Sequence, residues 1–348
     1  MFTQYFKITN AEEKDSKGFQ YVDGLNEWKG KFVKMNMENK NPGISFTTAD
    51  QIHRYYHHGC YLRLVEVPIT NPDFVMLEDN GLFWANMVVL KDRYPLSDLG
   101  TYNKFGLKMI DFTYAASQGY FDVVKYLVEN GSVIDEANCS PLKWSAHNGH
   151  LEIVKYLVEN GATLCDSAMY HAILNCHLHI IEYLLSRGAT YDNCFGAVTE
   201  IVNKNRLDVL IYLINNKFDI ARYYGYILIN ASVKGIYDIV KYLLDNIETM
   251  ATDYNIPLDD VKIAINISLV EAAKHGCTEV VKYLIDAGAD VEAADNNALI
   301  YSARKGYMDI VKCLVEAGAN VYAQSNKAII MSAKKNHLEV IKYLLQVN

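Results

Sequence analysis

The chain has 348 residues, of which 51% are hydrophobic and 21% are charged. This composition is typical of a folded globular protein and excludes an intrinsically disordered one. Lys and Arg number 33 against 41 Asp and Glu, for a net charge of −8, which argues against general nucleic-acid binding because such binding normally needs a basic excess.

The start of the chain and its cysteines predict an intracellular, cytoplasmic protein. The first residues, MFTQYFKITN, lack the basic-then-apolar pattern of a secretion signal. No apolar run approaches the roughly 18 residues of a membrane-spanning helix. The seven cysteines occur singly, without a CxxC pair. We therefore expect neither a disulfide framework nor a structural zinc site, and a reducing compartment.

Residues 1–107 contain no repeat and predict a small α+β domain. The segments FVKMN, GISFTT, YLRLVEVPI and DFVMLED are rich in strand-forming residues. Two further segments, TADQIHRYYHHG and LFWANMVVLKDRY, are predicted to be helices. We expect the second helix, through Trp84–Val89, to cover the exposed end of the repeating part that follows, because solenoid ends generally need a cap.

Four residues of this domain raise the question of a metal site. His53 and His57 are four residues apart and would share a helix face, as zinc ligands can. His58 and Cys60 follow closely, but no second ligand pair is evident. A helix end with surface histidines and a buried Cys explains the pattern better, and we expect no metal and no cofactor.

The stretch GISFTTADQIHRYY faintly resembles a segment of ADP-ribosyltransferases, in which a glycine and an aromatic residue precede a Ser-rich helix with Tyr. That resemblance implies an upstream His-Gly for the nicotinamide cofactor and a downstream catalytic Glu. Upstream the chain has only WKG at 28–30, and nothing selects between Glu66 and Glu78. Because the set is incomplete, we predict that the protein is not an enzyme. An ADP-ribosyltransferase-like domain targeted by the repeats is an alternative.

From residue 108 onward one motif recurs eight times. Aligned on the Tyr of KYL, the copies are spaced by 30, 27, 29, 30, 41, 30 and 30 residues, and a period in this range predicts a solenoid. Positions −2, +1 and +2 relative to this Tyr are always apolar, which gives one helical face that needs a partner. The aligned residues are Tyr126, Tyr156, Tyr183, Tyr212, Tyr242, Tyr283, Cys313 and Tyr343.

Each copy has start and stop signals for a helix and is preceded by a shorter helix. An acidic residue usually opens the helix, with a Lys three residues later, as in Glu152 and Lys155. A Gly ends it at 131, 161, 188, 288 and 318, where a left-handed cap costs no clash. The shorter helix has an apolar anchor such as Leu142 and, three residues on, a small residue such as Ser145, so two antiparallel helices can pack closely.

The copy SPLKWSAHNGHLEIVKYLVENGA resembles the ankyrin repeat, and the similarity covers about residues 108–348. It implies a mainly α ankyrin-type solenoid of about eight helix–turn–helix repeats. The period is 30 rather than about 33, so the hairpins between repeats should be shortened. Lys217 and Ile247 replace the stop Gly in two copies. The insertion near ETMATDYNIPLDD predicts a functional loop or a tolerated surface insertion. Together with the first 100 residues, the chain resembles ankyrin-repeat proteins of giant DNA viruses of amoebae.

The resemblance implies recognition of a partner protein on the concave face formed by the short helices. Aromatic residues there are candidate contacts, although Trp144 could equally pack against a neighbouring repeat. Cations at the ends of the last short helices predict a basic ridge, although such cations also stabilise a helix C-terminus without any partner. The candidates are Tyr114, Trp144, His171, Tyr301, Met331, Lys274, Arg304, Lys305, Lys334 and Lys335.

We expect a protein partner, from the host if the viral resemblance holds, and neither nucleic acid nor membrane. The protein should be a monomer. A purely structural role, such as a virion component, is a further alternative.

Overall fold

The computed structural model describes residues 3–15, 18–30, 32 and 43–347. The predicted strand FVKMN lies outside the described residues except for Phe32. The chain divides into two compact units, residues 1–168 and residues 169–348. Within the described ranges, no helix combines the length and the apolar character needed to cross a bilayer.

The first unit begins with an antiparallel sheet, which in the described residues has seven strands in the order β2-β7-β4-β1-β3-β6-β5. Its core contains Phe46, Phe83, Val88 and Leu90. Strand-forming aromatic and branched residues supply both the strands and this core. The strands are β1 (Tyr5–Thr9), β2 (Gly24–Glu27), β3 (Ile44–Thr48), β4 (Tyr61–Glu66), β5 (Met76–Asp79), β6 (Leu82–Ala85) and β7 (Met87–Pro95).

The helix predicted for LFWANMVVLKDRY is wrong, because this segment forms β6 and β7. Trp84 and Ala85 are both buried although they are consecutive in a strand. When both faces of a strand are buried, the alternation that distinguishes a strand from a helix disappears. The Trp84–Val89 helix that should cover the first repeat therefore does not exist.

A short 3₁₀ helix, Ile52–His58, lies against the first repeat instead. It occupies the segment TADQIHRYYHHG, where a helix was predicted. The Tyr56 hydroxyl donates to the Lys108 carbonyl at 2.8 Å, and the Tyr114 hydroxyl donates to the Tyr56 carbonyl at 3.5 Å. These two bonds join the strand-rich region to the first repeat.

The rest of the chain is helical and contains the eight predicted helix pairs. We call the first helix of each pair inner and the second outer. The eight outer helices are α3, α5, α7, α9, α11, α14, α16 and α18 in the following series. The helices are α1 (Leu99–Phe105), α2 (Phe112–Gln118), α3 (Phe121–Glu129), α4 (Glu136–His147), α5 (Leu151–Glu159), α6 (Asp166–Leu174), α7 (Leu178–Ser186), α8 (Phe195–Asn203), α9 (Leu207–Asn215), α10 (Tyr224–Lys234), α11 (Tyr237–Asp245), α12 (Ile247–Tyr254), α13 (Leu258–His275), α14 (Thr278–Asp286), α15 (Ala293–Lys305), α16 (Met308–Glu316), α17 (Ala323–Lys334) and α18 (Leu338–Gln346).

The buried face of the outer helices differs slightly from the predicted one. In α16, Ile310, Val311 and Leu314 are fully buried, whereas Val315 is only half-buried. This helix therefore buries positions −3, −2 and +1 relative to the KYL tyrosine column. Position +2 is buried in α9 and α11, as Ile214 and Leu244, and is more exposed in the other outer helices. The predicted glycine caps are confirmed: Gly288, for example, has φ +87° and follows the end of α14.

Left-handed turns replace the shortened hairpins that the period predicts. Residues 137–139, 294–296 and 324–326 each have three consecutive positive φ values, between 47° and 63°. In the described residues all named strands lie before residue 96, so the repeats contain none. Asn296, in one such turn, accepts a hydrogen bond from the Asn320 backbone of the next repeat at 2.7 Å. Asn tolerates this conformation better than most residues.

The insertion after the fifth repeat is helical, so the expectation of a loop is wrong. It forms α12 and lengthens the next inner helix, α13, to 18 residues. Asn255 ends α12 with φ 52°, in the left-handed cap conformation. Pro257 precedes α13, where its missing N–H costs no helical hydrogen bond.

The structure contains one disulfide, between Cys139 and Cys165. The expectation of unpaired cysteines is therefore wrong for this pair. The left-handed turn at 137–139 brings Cys139 close to a cysteine 26 residues further on. Spacing along the sequence does not reveal which turns of successive repeats meet. The other five cysteines are thiols.

Candidate functional site

The longest inner helix, α13, carries an exposed apolar stripe. Ile263, Ile267 and Val270 lie at i, i+4 and i+7 and share one face. Ile263 is 58% exposed and Ile267 is 43% exposed. With residues at the start of α15 they line a groove of about 390 Å³. Its lining residues are Ile263, Asn266, Ile267, Val270, Glu271, Asp290, Ala293 and Ala294.

The polar groups of this groove are mostly acidic. The Asn266 side chain on α13 accepts a hydrogen bond from the Asp290 backbone N–H at 2.9 Å. This bond ties the segment that precedes α15 to α13. Glu271 pairs with Lys274 at 3.0 Å, whereas the Asp290 carboxylate accepts only the Glu292 backbone N–H among the bonds of the described residues. An apolar floor beside carboxylates suits an apolar side chain that has a cation nearby.

Beside α13, the inner helix α10 exposes Tyr226. This tyrosine is 51% exposed, and the edge of its ring contacts Phe195 with centroids 4.8 Å apart. Large, rigid rings of this kind contribute strongly to protein interfaces. Tyr226 and the α13 stripe lie on two inner helices that contact each other; we call this set (Tyr226, Ile263, Ile267 and Val270) the α13 surface.

Two of the predicted contact residues lie in the first unit. Trp144 is 36% exposed, with the Lys143 ammonium 4.9 Å above its ring and the His147 ring 5.2 Å away. These neighbours belong to its own helix, α4. Tyr114 is half-buried, because its hydroxyl donates to Tyr56 in the 3₁₀ helix; burial raises the pKa of Tyr114.

The other three contact candidates, His171, Tyr301 and Met331, are half-buried in the second unit. The Lys274 ammonium lies 5.8 Å from the centre of the Tyr301 ring. The His171 ring contacts Tyr170 edge-on at 5.3 Å. Each therefore presents only part of its side chain to solvent.

The predicted basic ridge is only partly available. Lys274 is ion-paired with Glu271, and His275 lies 3.6 Å from the same carboxylate. The remaining members are exposed, and the described residues include no ion pair to them. They are Arg304, Lys305, Lys334 and Lys335.

The histidines before the outer helices hydrogen-bond the preceding repeat. His150 Nε2 lies 2.9 Å from the Ser117 carbonyl, and His337 Nε2 lies 3.1 Å from the Arg304 carbonyl. In both cases the carbonyl belongs to the preceding inner helix. These histidines contribute to stacking.

The strand-rich region does not assemble the two sites weighed from its sequence. His57 and His58 contact each other edge-on, with ring centres 4.3 Å apart. In the part of the chain that is described, no group of three or more His, Cys, Asp or Glu is arranged to hold a metal. Glu66 pairs with Lys91 at 2.9 Å, and neither it nor Glu78 lines the cleft that contains the two histidines.

Sequence reasoning missed the α13 surface. The signal was present in LDDVKIAINISLV, where Ile263 and Ile267 have helical spacing. Only its first three residues, LDD, fell within the predicted insertion, and the apolar spacing of the remaining residues was not used.

Helix pairs that recur along the chain, five of whose outer helices are followed by a left-handed glycine, define a helical repeat protein. The family model for ankyrin repeats matches residues 112–194 and 269–348. The chain belongs to the ankyrin-repeat family.

Its relatives include proteins of Acanthamoeba polyphaga mimivirus. The chain is 37% identical over 135 residues to ankyrin repeat protein R868, a match covering 36% of this chain and 67% of that protein. It is 40% identical over 134 residues to the uncharacterized protein R869, covering 36% of this chain and 96% of that protein. The crystal structure of the human ASB11 ankyrin repeat domain matches with 20% identity and a TM-score of 0.32, covering 68% of this chain and 97% of that one. The family assignment rests on the sequence matches.

Proposed function

We propose that the protein binds a partner protein through the inner helices of its repeats, and that the α13 surface is the main contact in residues 169–348. Ankyrin repeats generally mediate protein–protein interaction. The observation that supports this surface is the exposure of Ile263 and Ile267 on one face of α13, with Tyr226 exposed on the helix that contacts α13. Contiguous apolar exposure of this kind marks interaction sites on folded proteins.

The remaining candidates would contribute at the margin of the contact. Trp144, His171, Tyr301 and Met331 lie on inner helices and keep part of their side chains exposed. The unpaired cations Arg304, Lys305, Lys334 and Lys335 would meet carboxylates of the partner. Tyr114 contributes least, because the 3₁₀ helix occupies its hydroxyl.

An affinity capture from amoebal lysate tests this proposal, with the whole chain as bait. The doubly substituted Ile263→Ser/Ile267→Ser chain removes the stripe without emptying the core. Leu338→Ser is the matched control, since Leu338 is 64% exposed on an outer helix. We expect the wild-type chain and the control to retain a discrete partner, and the double variant to lose it at least about tenfold, or about 1.4 kcal/mol. Equal retention by all three chains would exclude this surface.

The host origin of the partner, an intracellular location and a monomeric state are further parts of the proposal. The exposed aromatic rings of Tyr226 and Trp144 favour binding over a purely structural role in a virion, because a scaffold surface has no need of them.

A further inference from the structure

Lys7 is a buried amine at a point where two strands separate. Its side chain lies on β1 and is 7% exposed. In the described residues β1 pairs with β3 only through Tyr5 and Phe6. Beyond that point the Lys7 ammonium donates to the Ser45 carbonyl of β3 at 2.9 Å. Buried lysines are rare unless a carboxylate pairs with them, and Lys7 has no ion pair among the described residues.

The surroundings of Lys7 form a cleft rather than a closed core. The cleft encloses about 440 Å³, a volume in the range of small-molecule sites. The face of the Tyr21 ring lies 4.7 Å from the Lys7 nitrogen, and the Tyr21 hydroxyl donates to Asp15 at 3.4 Å. His57 and His58, at the end of the 3₁₀ helix, also line the cleft. The cleft is lined mainly by Lys7, Asn10, Asp15, Tyr21, His57 and His58.

The environment favours the neutral amine. Burial lowers the pKa of Lys7 to about 8, and the nearby Asp15 carboxylate opposes this only in part. The neutral amine is the nucleophilic form of lysine. Burial, together with His57 and Lys7, also lowers the pKa of His58. The other charged or titratable groups around Lys7 are Lys14, Tyr55, and Arg63 on β4, which is paired with Glu13.

We propose that Lys7 is a carbonyl-reactive lysine, and that the cleft binds a small polar aldehyde which the Lys7 amine captures as an imine. The nitrogen lone pair adds to the carbonyl carbon, and the carbonyl π electrons move to oxygen. After addition one proton moves from nitrogen to that oxygen, giving a carbinolamine. The nitrogen lone pair then forms the C=N bond and expels the hydroxyl, which takes the second amine proton and leaves as water. His58, which lines the same cleft, is the group that would relay these protons. No oxidant or reductant takes part.

Reductive trapping on the whole wild-type chain tests the proposal. The probe is 4-pyridinecarboxaldehyde, which is neutral at pH 8 and small enough for the cleft. Sodium cyanoborohydride converts each imine into a stable amine, and peptide mass spectrometry gives the labelling rate of every lysine. At pH 8 about half of Lys7 is neutral, whereas an ordinary lysine has a neutral fraction roughly a hundredfold smaller.

We expect Lys7 to be labelled at least about tenfold faster than the exposed Lys104 and Lys143, allowing for the lower nucleophilicity of a weaker base. The Lys7 rate should saturate with probe concentration and reach its half-maximum near pH 8, while the exposed lysines respond linearly and continue to rise above pH 10. In urea the preference should vanish. A Lys7 rate equal to that of the exposed lysines would overturn the proposal. A fast rate that does not saturate with probe concentration would overturn the proposal that the cleft binds the aldehyde.

Discussion

The strand-rich region and the repeats satisfy their polar groups in opposite ways. In the repeats, neutral side chains bond to the backbone of the adjacent repeat, as His337 does to the Arg304 carbonyl and Asn296 to the Asn320 N–H. In the strand-rich region the buried polar groups include charges. Arg63, 3% exposed, meets Glu13 at 3.6 Å and also bonds Asp23, while Lys7 bonds Ser45.

This difference has a physical origin. A stacked repeat can place the same neutral contact at every step, because the same surfaces meet each time. A sheet whose neighbouring strands are distant in sequence has no such period, and each buried charge needs its own partner. The buried charges Lys7 and Arg63 therefore lie where the chain does not repeat, whereas the surface proposed for a partner protein lies on the repeats.

The largest expected effect tests whether apolar stacking stabilises the repeats. Leu314→Ala should lower the free energy of unfolding by about 3 kcal/mol, because it removes a fully buried side chain and leaves a cavity. Urea unfolding of the whole chain, followed by hydrogen exchange in α16, measures the loss. Leu345→Ala is the control: Leu345 is 54% exposed, so its loss should stay below about 0.5 kcal/mol. Equal losses would contradict the assigned core.

The second effect concerns the buried amine of the strand-rich region. The folded pKa of Lys7 is about 8, and that of an unfolded lysine is about 10.4. The unfolded chain thus binds more protons between these values, so the Lys7 contribution to stability rises with pH across this window, by about 3 kcal/mol in total. Conversely, this contribution to the free energy of unfolding decreases as the pH is lowered toward 8, and it is constant below that pH.

Urea unfolding at pH 7.5, 9 and 10 should therefore show this rise in the wild type and not in Lys7→Met. Lys14→Met is the matched control, because Lys14 lies in the same cleft with its side chain 46% exposed. It should keep the wild-type slope. If Lys7→Met gains stability with pH as the wild type does, the gain does not come from Lys7, and the pKa of Lys7 is not lowered in the folded protein.

Arg63 tests the charged network of the same region. Arg63→Met should cost about 2 kcal/mol, because among the described residues it leaves only Arg93, at 3.6 Å, to pair with the mostly buried Glu13 carboxylate. Thermal unfolding of the whole chain measures this. Arg93→Met, at a side chain 51% exposed, should cost less than about 1 kcal/mol. Restoration of stability in Arg63→Met/Glu13→Gln would identify the stranded carboxylate as the cause.

The smallest effect isolates one contact between repeats. Asn296→Ala should lose about 1–2 kcal/mol: it removes the bond to Asn320 and places Ala at φ 60°. Asn326→Ala serves as its reference, since Asn326 has nearly the same backbone conformation, φ 63°, and no side-chain hydrogen bond among the described residues. The difference between the two losses in the free energy of unfolding, measured in urea, gives the contribution of the hydrogen bond. No difference would mean that only the turn conformation matters.

The repeats could be predicted because their information is local and repeated. Apolar spacing, glycine stops and small residues fixed the helix pairs of the ankyrin family, and the eight copies reinforced one another. The same pattern also predicted that Ser145 and its equivalents would be buried between helices, which they are. A period of 30 indicated a shortened connection, but it could not indicate a left-handed turn, since that depends on three backbone conformations in succession.

Tertiary structure decided the rest. Trp84 and Val88 belong to strands because they pair with Ser45 of β3 and Asn26 of β2, a fact that no local pattern contains. No local pattern contains the Cys139–Cys165 disulfide either, nor the hydrogen bond from the Tyr114 hydroxyl to Tyr56 of the 3₁₀ helix. The sequence by itself determined which segments stack, because stacking repeats a short-range pattern. Only the tertiary structure decided which side chains remained exposed on α13 and which amine became buried at Lys7, because burial depends on neighbours that are distant along the chain.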